Sequence, residues 1–351
     1  MRKLLALSLG VVTALISVTA SAATWEQKSF TGGLRTVHVY NPDTTSPIGD
    51  GKALMVLLRG CTQAASSFKT ANLNQVAQDF GMVIAAADPN SAQGFDCWGY
   101  WTGMIGRSSG DYKNVIATTE AIIADAQYDI DPNQVYISGL SSGGAFAMTV
   151  GCLAPDIYAG MGLDAAPSAG TSAGETGGTT DTPAQIAARC EQYAGSNASD
   201  FGTQITSTAY GTNDTMVGPE YGLKNAEAMA LIYGVDQTNE QNEVQGYNTV
   251  IESTWDDGRV SMVEFSNINA MMGHAWPGGQ GASGSYIDSS SANYGLYLAK
   301  YFTANNKRVD DIEPENIPPE LSNITAITTG STIVVTGTAS DSDGNIASVI
   351  I

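Results

Sequence analysis

The chain has 351 residues, of which 35 are Asp or Glu and only 15 are Lys or Arg, for a formal net charge of −20. That balance argues against nucleic acid and anionic membranes as partners. Charged residues make up only 14% of a chain with 39 glycines, so a loop-rich globular protein with small, neutral polar surface residues is expected, not a disordered acidic chain.

In chain order, residues 1–22 read as an export signal. Arg2 and Lys3 form a basic start, Leu4 to Val18 is a largely apolar stretch, and Ala20-Ser21-Ala22 is a small-residue cleavage site that places the mature start at Ala23. No later segment offers the about 20 apolar residues of a membrane anchor. A soluble, secreted, extracellular protein is expected. In that oxidising setting the four cysteines, Cys61, Cys97, Cys152 and Cys190, imply two disulfides with three possible pairings. Sequence proximity favours Cys61–Cys97 and Cys152–Cys190. No Cys-x-x-Cys or Cys/His spacing suggests a metal site.

Residues 36–40 alternate as a strand that contains His38. Ala53 to Leu58 and Met82 to Ala87 are short continuous apolar runs, the profile of buried parallel strands. Between them Ser67 to Phe80 carries helical spacing closed by Gly81. Residues 114–126 place Val115, Ile116, Ile122 and Ile123 on one helical face. Asp131-Pro132-Asn133 signals a turn before a strand at Gln134 to Ser138, and Ser142 to Leu153 reads as a helix ended by Pro155. The Gly-, Ser-, Thr- and Ala-rich residues 165–183 read as a surface loop. Gln204 to Tyr210 and Ser261 to Ile268 are later strands. This alternation predicts an α/β fold with a mostly parallel sheet and helices on both faces. It occupies residues 23–308. The acidic, proline-containing stretch 309–320 reads as a stiff linker. Residues 321–351 read as the start of a β-sandwich-like module, with Thr332 to Thr336 as its clearest strand and residues 341–345 as a turn. A sandwich needs about 100 residues, so the sequence is expected to continue beyond residue 351.

The chemistry concentrates in three places. Gly139-Leu140-Ser141-Ser142-Gly143 matches the G-x-S-x-G nucleophile elbow, with strand-like residues before it and a glycine-opened helix after it. Gly211-Thr212-Asn213-Asp214 follows one of the later strands. One of only two histidines, His274, lies in Met272-Gly273-His274-Ala275-Trp276-Pro277-Gly278. Ser141 as nucleophile, Asp214 as acid and His274 as base stand in the chain order of α/β-hydrolases. His38 comes too early to serve. Asp164 follows the serine helix closely, and Asp256-Asp257-Gly258 reads as a hairpin turn, so Asp214 is preferred over these acids. The oxyanion hole would combine the Ser142 and Cys61 backbone N–H groups. Trp98, Tyr100 and Trp101 could bind substrate or fill the core, whereas Trp276, so close to His274, is read as substrate-binding.

Together Arg59-Gly60-Cys61-Thr62-Gln63, Cys97-Trp98, Tyr128-Asp129-Ile130-Asp131-Pro132, the elbow through Gly144, Gly211 to Asp214 and Gly273 to Gly279 resemble the secreted polyhydroxybutyrate depolymerase family of esterases, related to feruloyl and acetylxylan esterases. The resemblance spans most of residues 50–280. It implies an α/β-hydrolase fold and hydrolysis of a polymeric ester such as poly(3-hydroxybutyrate) through an acyl-enzyme, with no metal or other cofactor. It also implies a linker and a polymer-binding domain after the catalytic one. The alternatives are a feruloyl or acetylxylan esterase acting on plant polysaccharide, and a non-catalytic binding protein on a hydrolase scaffold. One position departs from the family pattern: Arg59 stands where members usually have a histidine. Neither the acyl group nor the oligomeric state is carried by these motifs.

Overall fold

The apolar runs pair side by side at the centre of a ten-stranded sheet in the computed structural model, which describes residues 23–30, 33–34, 36–309, 320–329 and 332–340. The export segment, the linker apart from its end residues, and the turn at 341–345 lie outside the described residues. The strands are β1 (Trp25–Lys28), β2 (Val37–Tyr40), β3 (Lys52–Leu58), β4 (Met82–Ala87), β5 (Ile130–Leu140), β6 (Gly160–Asp164), β7 (Ile205–Gly211), β8 (Gln237–Val244), β9 (Tyr247–Trp255) and β10 (Val260–Phe265), ordered β1-β2-β4-β3-β5-β6-β7-β10-β9-β8. From β4 to β10 every neighbouring pair is parallel, and an antiparallel pair of strands closes each side.

Side chains alternate between the two faces, so β3 sends Leu54, Val56 and Leu58 into one core and Ala53, Met55 and Leu57 into the other. Of the helices α1 (Leu73–Phe80), α2 (Gly110–Ala124), α3 (Ser142–Leu153), α4 (Pro183–Ala194), α5 (Glu220–Tyr233) and α6 (Tyr294–Asn305), α1 and α6 cover the second face and the other four the first. Short strands β11 (Trp276–Pro277) and β12 (Ile287–Asp288) pair beyond the sheet, and β13 (Glu320–Thr329) and β14 (Thr332–Ser340) form a separate antiparallel pair.

Four expectations need correction. The helix expected at 67–80 is two pieces, a 3₁₀ turn at Ala65–Thr70 and then α1. The break is at Asn72, which adopts a left-handed φ of 59° and donates its amide to the carbonyls of Gly278 (2.9 Å) and Gln280 (3.1 Å); asparagine tolerates that conformation better than most residues. The helix at 114–126 instead spans Gly110–Ala124, because Asp125 leaves it to accept the Gln127 N–H at 3.1 Å. The Asp131-Pro132-Asn133 turn forms, with Asp131 accepting the Asn133 N–H at 2.9 Å, but β5 runs through it as a register irregularity. The stretch 165–183 is a surface loop only in part. Ala165 to Ala169 and Thr171 are buried, and Asn225 of α5 holds the Ala166 carbonyl at 2.9 Å. Small residues permit close packing as readily as exposure, so composition alone cannot separate the two.

The cysteines pair as proximity favoured, Cys61–Cys97 and Cys152–Cys190, and the second bond staples α3 to α4. With sequence separations of 36 and 38 residues, each closure contributes about 4 kcal/mol in the chain-entropy account. Reduction is expected to lower the thermal midpoint by well over 10 °C, read by circular dichroism with and without reductant. Equal midpoints would contradict that contribution.

Candidate active site

The loops leaving β5, β7 and β10 at one end of the sheet carry Ser141, Asp214 and His274, where open α/β sheets place their sites. Between β5 and α3 the chain turns at Ser141 alone, with φ 57° and ψ −121°, a conformation that an L-residue keeps only when its surroundings enforce it. Close approaches do so here. A Cβ at Gly139 would lie 2.5 Å from the Gly143 carbonyl, and one at Gly143 would lie 2.2 Å from the Leu58 carbonyl oxygen. The Ser141 N–H donates to the Asp164 carbonyl at 2.9 Å, and the Ser141 carbonyl starts α3 by accepting from Ala145 at 2.9 Å.

Asp214 is gripped from both sides. Its Oδ1 accepts the Met216 and Val217 N–H groups at 2.8 and 2.9 Å, and its Oδ2 lies 2.7 Å from His274 Nδ1, with both residues buried. A carboxylate can only accept, so Nδ1 carries the ring proton and Nε2 is left free to take one. The Asp214 and His274 loops dock on each other, for Thr215 N–H donates to the Met272 carbonyl at 3.3 Å. Gly273 sits between them with φ 83°, and a Cβ there would lie 2.5 Å from the Asn213 carbonyl oxygen. Gly273→Ala is therefore expected to cost roughly 2–3 kcal/mol of stability and about 100-fold in kcat, measured by denaturant unfolding and ester kinetics. A variant as stable and active as the parent would refute this docking argument.

Ser141 and His274 line one cavity of about 140 Å³ with Cys61, Thr176 and Tyr286. They are not hydrogen-bonded to each other in this structure, and such contacts commonly tighten only with substrate present. A neighbouring cavity of about 500 Å³ shares Cys61, Ser141, Met216, Val217 and Tyr286 and adds Phe95, Tyr100, Trp101 and Pro167. Burial pushes the Tyr100 phenol up to about 12, so this wall is neutral at ordinary pH.

The Gly60 N–H is committed to Gln63 Oε1 at 2.9 Å, and Gln63 in turn donates to the Ser285 carbonyl at 2.8 Å. The next N–H, that of Cys61, has no backbone partner among the described residues. Ser142 opens α3, so its N–H has no acceptor within the helix. Arg59 braces this loop. Buried at 3% exposure, it pairs with Asp88 at 2.7 Å and Asp96 at 2.8 Å and donates to the Gly60 carbonyl at 2.9 Å. With the Cys61–Cys97 bond, it ties the Cys61 loop to the loop carrying Phe95, Tyr100 and Trp101.

Two of the aromatic assignments are corrected. Trp276 is fully buried between Phe68 and Tyr294, with ring centroids 5.4 and 5.3 Å away, and lines neither cavity. Its large apolar area anchors the His274 loop on the core and faces neither cavity. Trp98 is likewise fully buried, against Phe146 at 4.9 Å. Tyr100 and Trp101 do face the larger cavity. Tyr286 was missed. Its hydroxyl lies 3.3 Å from Thr62 Oγ1, and its ring stands edge-on to His274 at 6.2 Å, yet it sits in a Gly- and Ser-rich stretch with no motif. Met216 and Val217 were findable, since they directly follow Asp214.

Asp164, the rejected competitor, ends β6 with neither carboxyl oxygen hydrogen-bonded. Burial first, and then the neighbouring Asp214, hold its carboxyl well above the usual carboxylate range. The folded state thus keeps a proton that the unfolded chain releases near pH 3.9. Stability must fall as pH rises from there through the raised folded value. Asp164→Asn, neutral throughout, is expected to flatten that fall on the alkaline side of about pH 4. Thermal midpoints across this range check it, and parallel curves for parent and variant would contradict it.

A serine on a strained strand-to-helix turn, with an acid and a histidine on later strand-end loops, defines the α/β-hydrolase class. An acetyl xylan esterase from Aspergillus awamori shares the fold, with a TM-score of 0.58 at 15% identity over 70% of this chain and 93% of that one. Residues 39–181 match the family model of the esterase PHB depolymerases. It is 37% identical over 322 residues to a poly(3-hydroxybutyrate) depolymerase of Ralstonia pickettii, covering 87% of this chain and 65% of that one. It is 24% identical over 268 residues to feruloyl esterase B of Neurospora crassa, covering 71% of this chain and 87% of that one. The chain spans 65% of the length of the Ralstonia protein and 63% of a poly(3-hydroxyalkanoate) depolymerase of Paucimonas lemoignei.

Proposed function

We propose that this protein is a secreted serine esterase that hydrolyses a polyester such as poly(3-hydroxybutyrate). The observation that carries the reading is the buried His274–Asp214 pair, set beside Ser141, which itself lies in the stretch 39–181 that matches the PHB depolymerase family model. Ser141 attacks the ester carbonyl while His274 Nε2 takes its proton, and Asp214 holds the imidazole and its developing charge. The N–H groups of Cys61 and Ser142 receive the oxyanion. His274 then returns the proton to the leaving alcohol, and water, deprotonated by the same histidine, releases the acyl group from Ser141. The Ralstonia relative's name favours poly(3-hydroxybutyrate) as substrate.

On this reading residues 1–22 direct export, 23–308 form the catalytic domain, 309–320 are a linker and 321–351 belong to a second β-module. The two disulfides fit an extracellular location. Among the described residues no helix is long and apolar enough to cross a membrane.

The test is incubation of the mature chain with an amorphous poly(3-hydroxybutyrate) suspension, reading turbidity and released hydroxy acid. Clearing is expected. A folded protein that leaves the polymer intact but releases ferulate or acetate from plant polysaccharide would replace the polyester reading. That alternative has its own support in the aromatic wall formed by Phe95, Tyr100 and Trp101.

A further inference from the structure

Among the described residues seven large apolar side chains are exposed, and their placement is uneven. Leu223 and Leu231 lie on α5. The other five sit on loops that build the serine cleft or directly adjoin its residues. Phe95, 87% exposed, and Met216, 36% exposed, line the larger cavity. Met271 and Met272, 45% and 65% exposed, immediately precede Gly273-His274, and Met104, 79% exposed, follows Tyr100-Trp101. Grouped exposure of this kind marks an interaction site.

The backbone adds a second observation. Phe95, Met271 and Met272 hold left-handed φ values of 58°, 44° and 60°, a conformation that such residues adopt only against steric resistance. The loops are nevertheless pinned. The Phe95 carbonyl accepts the Thr62 N–H at 3.0 Å, Gln93 and Cys97 exchange hydrogen bonds of 2.9 and 3.0 Å, and the Met272 carbonyl accepts from Thr215. The fold thus spends strain to point apolar side chains into solvent beside one cleft.

We propose that these five side chains form an apolar collar by which the catalytic domain lies against the surface of a solid, uncharged polymer before a chain segment enters the cleft. The proposal deepens the polyester reading and rests on it. A dissolved ester needs only the cavity, whereas a solid reaches a space of about 500 Å³ only after the protein has settled on the bulk material. A net charge of −20 does not oppose a neutral polymer but does oppose an anionic bilayer.

The test uses the full mature chain carrying Met104→Ser and Met272→Asn, neither of which lines a cavity; asparagine suits the left-handed position. In a Ser141→Ala background, adsorption is measured on poly(3-hydroxybutyrate) granules, polystyrene beads and phosphatidylglycerol vesicles. In the active background, suspension clearing is compared with p-nitrophenyl butyrate hydrolysis. Adsorption to both polymers and clearing are expected to fall about fivefold or more, with p-nitrophenyl butyrate turnover held within about twofold. That retained turnover also shows that the variant folds. Unchanged adsorption to the polymers overturns the collar, as does a parent that prefers the vesicles. If the parent clears the suspension but the substitutions leave adsorption intact, the polyester reading stands and the collar falls. If they abolish adsorption to polystyrene while the parent clears nothing, the collar stands and the polyester reading falls.

Discussion

Ser141→Ala is expected to lower kcat for ester hydrolysis by about 10⁶ while moving the thermal midpoint by no more than about 2 °C. The two halves of that expectation have different origins. The serine is 8% exposed at the cavity wall and its hydroxyl is not bonded to His274, so losing the oxygen forfeits little stability. Chemically the loss is complete, since no acyl-enzyme forms without a nucleophile at the elbow. What remains is the contribution of the oxyanion donors and of binding, roughly 10³–10⁴ over water in comparable sites. Single-turnover kinetics with a chromogenic ester, run beside circular dichroism, measure both halves. Turnover indifferent to the substitution would reject the triad and return the chain to the class of binding proteins on a hydrolase scaffold.

Asp214→Asn is expected to lower kcat by about 10⁴, and the hydrogen-bond pattern says why so small a change costs so much. The side-chain oxygen of the amide must stay with the Met216 and Val217 N–H groups, which now bond Oδ1 at 2.8 and 2.9 Å. That leaves the NH₂ facing His274 Nδ1, where Oδ2 now lies 2.7 Å away. A donor there forces Nδ1 to accept, which moves the ring proton to Nε2, and the nitrogen facing Ser141 can no longer take a proton. The loss should appear in kcat with KM nearly unchanged. A loss confined to KM would show that Asp214 shapes binding and does not set the tautomer.

The strands and the elbow were legible because their signals are local. Continuous apolar runs such as Met82 to Ala87 must be buried on both faces, and the glycines at 139 and 143 are demanded by contacts within the elbow and with the adjoining strand end. The order of Ser141, Asp214 and His274 was legible for a similar reason, since each follows a strand of one parallel sheet. The misses depend on partners far along the chain. Asn72 breaks its helix to reach carbonyls 206 and 208 residues away, which no helical spacing records. Trp276 resembles a substrate contact by adjacency to His274, but its burial is decided by Phe68 and Tyr294. Tyr286 enters the site only because the chain after His274 folds back over the Cys61 loop, where Gln63 meets the Ser285 carbonyl. The bracing of the Cys61 loop by Arg59 was likewise invisible until its two aspartate partners, Asp88 and Asp96, were in view.

The Cys61–Cys97 bond gives the proposed mechanism an order of events. On the proposed reading one oxyanion donor, Cys61, is a half-cystine, and the same bond joins its loop to the aromatic wall of the cleft. A newly made chain in a reducing compartment can pair its strands and bury its core while this corner is still untied. On the proposed reading of an exported enzyme, the covalent closure that tethers this loop would come only with export, so catalytic competence would follow maturation.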